Sequence, residues 1–183
     1  MITRLTLAAG LAGLLACHPT HGTPGVATTT YLQEVEVNDH AWSANWVGDL
    51  HVGERLVIDG HITECCPDPF DGFALHATGP MTLRLTLHAL DPLADLDLAL
   101  HLPLTGELLA AFETPAHPEI GSIDLLAPCE LHAVVRAFRG SSSYRLEIEA
   151  LPLVLGLASE PGVGPHASEA FRPYGSLPGH PDR

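Results

Sequence analysis

The sequence predicts an all-β fold: an antiparallel β-sandwich, jelly-roll-like, with about eight strands. Three observations carry this. Met81, Leu83, Leu85 and Leu87 alternate with Thr82, Arg84, Thr86 and His88, a period of two that gives an extended segment one apolar and one polar face. Turn-forming clusters, among them Ala77-Thr78-Gly79-Pro80, Pro103-Leu104-Thr105-Gly106 and Arg139-Gly140-Ser141-Ser142, separate such segments at regular intervals. No stretch of a dozen residues combines a helical apolar face with capping residues.

Taken in order, the chain opens with Arg4 and an apolar run from Leu5 to Ala16. A membrane-spanning helix needs roughly 20 apolar residues, so this run fits the core of a secretory signal. Its end, Leu14-Leu15-Ala16-Cys17, resembles the lipobox of bacterial lipoproteins. That resemblance implies a signal peptide over residues 1–16, lipidation of Cys17 and, with His18 rather than Asp next, the outer membrane, on its periplasmic or surface face. An ordinary secretory signal with Cys17 as a bystander is the alternative. Residues 17–30 are rich in Pro, Gly and Thr without an apolar period, which reads as a flexible tether.

Residues 31–151 form the expected sandwich domain. Strands are expected over 55–62, 72–77, 81–88, 95–101, 107–113, 119–125, 130–138 and 144–149, where Tyr144, Leu146 and Ile148 alternate with Arg145, Glu147 and Glu149. Leucine is not a favoured strand residue, but the alternation outranks propensity here. From 152 to 183 the chain turns Pro- and Gly-rich, the composition of a largely disordered tail.

The segment Glu34-Val35-Glu36-Val37-Asn38-Asp39 reads in two ways. If extended, it projects Glu34, Glu36 and Asn38 to one side and Val35 and Val37 toward the core. This is a solvated edge strand or half of a hard-cation site, since calcium takes six to eight oxygen ligands. Asp68 and Asp71, in the loop before the next strand, are the candidate second half. Converging carboxylates would need a cation to offset their repulsion.

Composition narrows function further. With 22 acidic and 8 basic residues, all of the latter arginine, the formal charge is -14, which argues against a nucleic-acid partner. Of four cysteines, Cys65, Cys66 and Cys129 remain after lipidation. Pairing Cys129 with Cys65 or Cys66 would close a loop of about 60 residues and contribute roughly 4 kcal/mol. Zinc fits poorly, because adjacent cysteines lack the spacer of structural sites. Twelve histidines are present, but they are scattered, without an HExxH arrangement or a close pair in sequence. The Ser141–Ser143 run lacks the G-x-S-x-G form. Trp42 and Trp46 read as core or lid residues, and Asp95 and Asp97 as solvent-facing.

The order of these pieces resembles the bacterial pre-peptidase C-terminal domain, over about residues 32–150: the acidic segment ending in Asn38-Asp39, then "AWSAN", "DPFDGF", "DLDLAL" and "GSSSYRLEIE". The resemblance implies a jelly-roll sandwich that is non-catalytic. Through the related calcium-dependent collagen-binding modules it implies Glu34, Glu36, Asn38, Asp39, Asp68 and Asp71 as Ca2+ ligands. Collagen binding itself does not transfer, since the tyrosine-rich face has no counterpart. The expectation is a non-enzymatic, lipid-anchored envelope protein with an unknown protein or polysaccharide partner. The alternatives are a small envelope hydrolase with a carboxylate or His site, or a structural lipoprotein without metal.

Overall fold

The computed structural model describes residues 28–64, 69–115 and 117–154, and among them there is no helix. Ten strands follow in order: β1 Thr28–Gln33, β2 Asn45–Leu50, β3 Glu54–Ile62, β4 Phe70–Ala77, β5 Met81–Ala89, β6 Asp95–His101, β7 Leu108–Phe112, β8 Glu119–Leu125, β9 Cys129–Arg139 and β10 Ser142–Leu151. They build two five-stranded sheets. Sheet A has the order β1-β3-β10-β5-β8 and sheet B the order β2-β4-β9-β6-β7.

The core lies between the sheets, where the period of two places it. Leu56, Ile58, Leu83, Leu85, Leu87, Leu146 and Ile148 come from sheet A, and Phe73, Leu75, Leu96, Leu98, Leu100, Leu131 and Val135 from sheet B. All are buried. At about 25 cal/mol per Å² of apolar surface, such burial is the main force holding the sheets face to face. Strands adjacent in sequence occupy the same rank in opposite sheets: β1 with β2, β3 with β4, β5 with β6, and β9 with β10. Among the described strands only the β6 to β7 connection stays within one sheet.

All eight strands expected from alternation are present, with ends within two residues of their expected bounds. Three points differ from the sequence reading. There are ten strands, and Thr28–Thr30, read as the end of the tether, open β1. Neither β1 nor β2 shows clean alternation. β1 begins with three threonines, and β2 is interrupted by a register shift between Trp46 and Gly48, where Gly48 has a φ of 110° that favours glycine. Second, the sheets are mixed rather than wholly antiparallel, because β1 runs parallel to β3 and β2 parallel to β4. A chain that crosses to the other sheet and back returns in its original direction.

Third, among the described residues there is no disulfide. Cys129 is a free thiol whose Cα partner is Ala77, at the start of β9. Glu64, the residue before Cys65, sits at the other end, where its Oε2 accepts a hydrogen bond from Gly140 N (2.9 Å) and its N donates to Ser141 Oγ (3.3 Å). The 11 residues of β9 span roughly 35 Å. A disulfide needs Cα atoms within about 7 Å, and two residues of chain extend Glu64's reach by at most about 8 Å. Loop-closure entropy says what a bridge would contribute; it does not bring strand ends together. Cys17, Cys65, Cys66, Asp68, the signal and most of the tether, and the tail from residue 155 lie outside the described residues.

At the far edge the ring of Phe112 on β7 lies over Gly121 on β8, and a Cβ at Gly121 would overlap it. Gly121→Ala is therefore expected to destabilise by about 1–3 kcal/mol, read as a lower urea midpoint with an unchanged slope.

Candidate metal centre

The chain crosses from the edge of sheet A to the edge of sheet B between β1 and β2. Residues 34–39 form this crossover as irregular backbone, not as an edge strand, with the Glu36–Val37 peptide bond in the cis form. Its polarity is inverted relative to the sequence expectation. Val35 and Val37, expected in the core, are each 65% exposed, whereas Asn38 is fully buried. Facing it is Asp71, also fully buried. Asp71 belongs to β4 rather than to the preceding loop, and its register puts it on the same side as Phe73 and Leu75.

The carboxylates of Glu34, Glu36 and Asp71 converge, each offering an oxygen within 4.8 Å of the others. Backbone bonds set this geometry. Glu34 N donates to Asp59 O (2.9 Å), which extends the pairing of β1 with β3, and Gly72 N donates to Asn38 O (3.1 Å), which fixes the crossover beside Asp71. Asn38 Nδ2 donates to Glu34 Oε1 at 3.3 Å. Asn45, at the start of β2, acts as a clamp: its Oδ1 accepts from Val35 N (2.8 Å) while its Nδ2 donates to Val35 O (2.7 Å). An amide side chain thus stands in for a strand partner.

Glu34 also accepts from His61 N through Oε2 (2.7 Å). It lies across Gly60, where a Cβ would meet Glu34 Oε2 at 2.6 Å and overlap the Tyr144 ring. Glycine at position 60 therefore makes room for the carboxylate. Asp39 stands beside Asn38, outside the converging set, and its Oδ1 is buried without a hydrogen bond. Asp68 lies outside the described residues. Of the six ligands implied by resemblance, the structure brings Glu34, Glu36, Asn38 and Asp71 together.

The donor set fits a hard cation. Three carboxylates and an amide supply oxygen in the manner calcium requires, and among the described residues no histidine or thiol enters the group. Burying the Asp71 carboxylate at a core-facing position costs several kcal/mol unless an opposite charge compensates. Exposed valines beside buried polar groups have the same logic.

Histidines and one aspartate also depart from the sequence reading. His101 on β6 and His132 on β9 are register partners and both buried. Their 31-residue separation hides the pair from any spacing motif. Asp97, expected to face solvent, is only 5% exposed, beside its partner Arg136 on β9. Trp42 and Trp46, read as core or lid residues, are 67% and 61% exposed, and Trp42 stacks on His40 with ring centroids 4.4 Å apart.

Comparison with known proteins yields fold-level likeness. No protein-family model matches the chain, and no curated protein matches it at a significant level. Among solved structures it is similar to the pre-peptidase C-terminal domain of a collagenase from Bacillus anthracis, at 14% identity over 58% of this chain and 94% of that one, with a TM-score of 0.48. It is also similar to PliG of Aeromonas hydrophila, a periplasmic lysozyme inhibitor of g-type lysozyme (10% identity, 67% and 97% coverage, TM-score 0.40). A third is the Yersinia pseudotuberculosis-derived mitogen (15%, 57% and 91%, 0.38). At these identities no residue role passes from those proteins to this chain.

Two opposing titrations follow from the buried groups. Burial first, then the charges of Glu113 and Asp95, push Asp97 up to about 7. The folded state thus holds a proton that the unfolded state releases near pH 4, so this group's stability is present at low pH and lost as pH rises toward 7. Burial lowers His101 and His132, so their contribution is present above the unfolded value of about 6.5 and lost as pH falls below it. Asp97→Asn should raise the melting temperature at pH 8 by several degrees, with a ceiling of about 4 kcal/mol, and leave it little changed at pH 4. Melts of wild type and variant across this range check the sign.

Proposed function

We propose that this chain is a non-catalytic, lipid-anchored module of the bacterial envelope whose sandwich binds a protein or polysaccharide partner. Calcium would hold its N-terminal crossover through Glu34, Glu36, Asn38 and Asp71, with Asp39 and Asp68 as further candidates. The observation that supports this is the inverted crossover, with valines outside and the carboxylates of Glu34 and Glu36 converging on the buried Asp71. A divalent ion there links the β1–β2 crossover to β4, so it stabilises the contact between the first strand and both sheets. It also fixes how the domain sits on the chain that precedes β1.

Calcium added to the purified protein is expected to raise the melting temperature. A ligand at about 100 times its dissociation constant stabilises by roughly 2.7 kcal/mol, which for a chain of this size is on the order of 5–10 °C. Chelator should reverse the shift, and Glu36→Ala should abolish it while leaving the metal-free melt nearly unchanged, because Glu36 is exposed. Identical melts with calcium and with chelator would refute the cation role.

The anchor is tested separately. Mass spectrometry of the N-terminal peptide of the mature protein should find Cys17 as the first residue, carrying acyl chains; an unmodified Cys17 within a longer peptide would sink that part of the reading. For the hydrolase alternative, a favourable contact among the described residues is His61 Nδ1 to Ser143 Oγ at 3.3 Å. Both residues are exposed, where water screens the charges that such chemistry must stabilise.

A further inference from the structure

We propose that the hollow beside the cation cluster binds a neutral saccharide, with a vicinal pair of its hydroxyls completing the shell of the calcium ion held by Glu34, Glu36 and Asp71. This rests on the cation reading above and adds to it the partner's chemistry and place. The hollow measures about 450 Å³ and is lined by Gln33, Glu34, Asp59, His61, Ser143 and Arg145, among others. That is the size range of small-ligand sites.

Three features select the ligand. The first is a shared wall. Glu34 belongs both to the carboxylate cluster and to the hollow, so an ion within about 2.6 Å of a Glu34 oxygen lies at the hollow's rim. Glu36 is exposed, which leaves that side of the ion open. Three carboxylates and Asn38, each binding through one atom, supply four of the six to eight oxygens calcium takes, and Asp39 and Asp68 would bring the count only to the lower end of that range. A pair of adjacent hydroxyls supplies two more without adding charge.

The second feature is a polar lining that is already oriented. Arg145 Nε and Nη2 donate to the two oxygens of Asp59 at 2.7 and 2.9 Å, a bidentate pair that holds both groups in one plane. The guanidinium keeps further N–H donors and the carboxylate further lone pairs. His61 Nδ1 and Ser143 Oγ make a single contact beside this pair at 3.3 Å. Alternating donors and acceptors suit hydroxyls, which do both. Glu34 and Asp59 repel an anionic ligand, and a cationic one would compete with the metal and with Arg145.

The third is an aromatic flank. A second hollow, about 280 Å³, is lined by Gln33, Val35, Asn45 and Trp46 among others, so Gln33 is common to both linings. Trp46 presents most of its indole to solvent, and an indole face packs against the C–H face of a sugar ring while the ring's hydroxyls stay wet.

Calorimetric titration of the purified protein with galactomannan and with N-acetylglucosamine oligomers tests this. At least one is expected to bind in calcium and to be released by chelator. Gln33→Ala and Trp46→Ala should each weaken that binding about tenfold, yet keep the wild-type calcium shift in melting temperature, because neither contributes to the ion's shell. If neither saccharide binds a protein whose calcium shift is intact, this inference falls and the cation reading stands. Saccharide binding that survives chelation also overturns it. Loss of the calcium shift in wild type removes both.

Discussion

The rest of the structure depends on the crossing of the chain from β1 to β2. A sandwich of two separate sheets has open edges, and here β1 and β2 are the edge strands on the same side. The segment between them must close that side with irregular backbone, whose polar groups need partners. Asn45 supplies two for Val35, Asp59 supplies one for Glu34, and Gly72 one for Asn38. These bonds bring Glu34 and Glu36 together with the buried Asp71 and leave the valines outside. A corner stitched by polar bonds has less apolar area to rely on than the middle of the sandwich, so a compensating positive charge would have leverage there.

The two sheets treat their outer faces differently. Sheet A carries an ion-pair lattice in which Arg55 meets Glu147, Arg84 meets Glu149, and Arg145 meets Asp59. Each such pair is partly exposed and adds little to stability, but together they keep the face wet and hold β10 in register with its neighbours. In sheet B, β6 and β9 are buried on both faces, with six consecutive buried residues from Leu96 to His101 and five from Leu131 to Val135. Asp97, His101 and His132 sit within these runs. Their shifted titrations follow from that burial, and on sheet A burial likewise raises Glu119 of β8.

Most of the scaffold was legible from alternation alone. Met81 to Ala89 presents one leucine-rich face and Ser142 to Leu151 one largely apolar face, and a one-residue error of register would reverse either. What alternation does not encode is the partner strand. The pairing of β1 with β3 in parallel, the meeting of His101 with His132, and the distance from Cys129 to the chain around Glu64 are products of topology. The acidic segment was found as a cation candidate by residue type, and Glu34, Glu36 and Asp71 do converge. Its internal arrangement was misread because extended backbone was assumed, which put Val35 and Val37 in the core. The exposure of Trp42 and Trp46 had no signal in spacing, since apolar residues are placed inside by default.

The order of strands also constrains when this protein takes shape. β10, the last strand, lies between β3 and β5 at the centre of sheet A, and with one exception each strand pairs with partners that are not its neighbours in sequence. Contacts of such long range make folding slow. A chain made from its N-terminus forward exposes β3 and β5 as unfilled edges until residues 142–151 arrive, and free edges of this kind invite pairing between molecules. Losing the final strand would therefore not trim the sandwich. It would split sheet A in two, leaving β1 and β3 apart from β5 and β8.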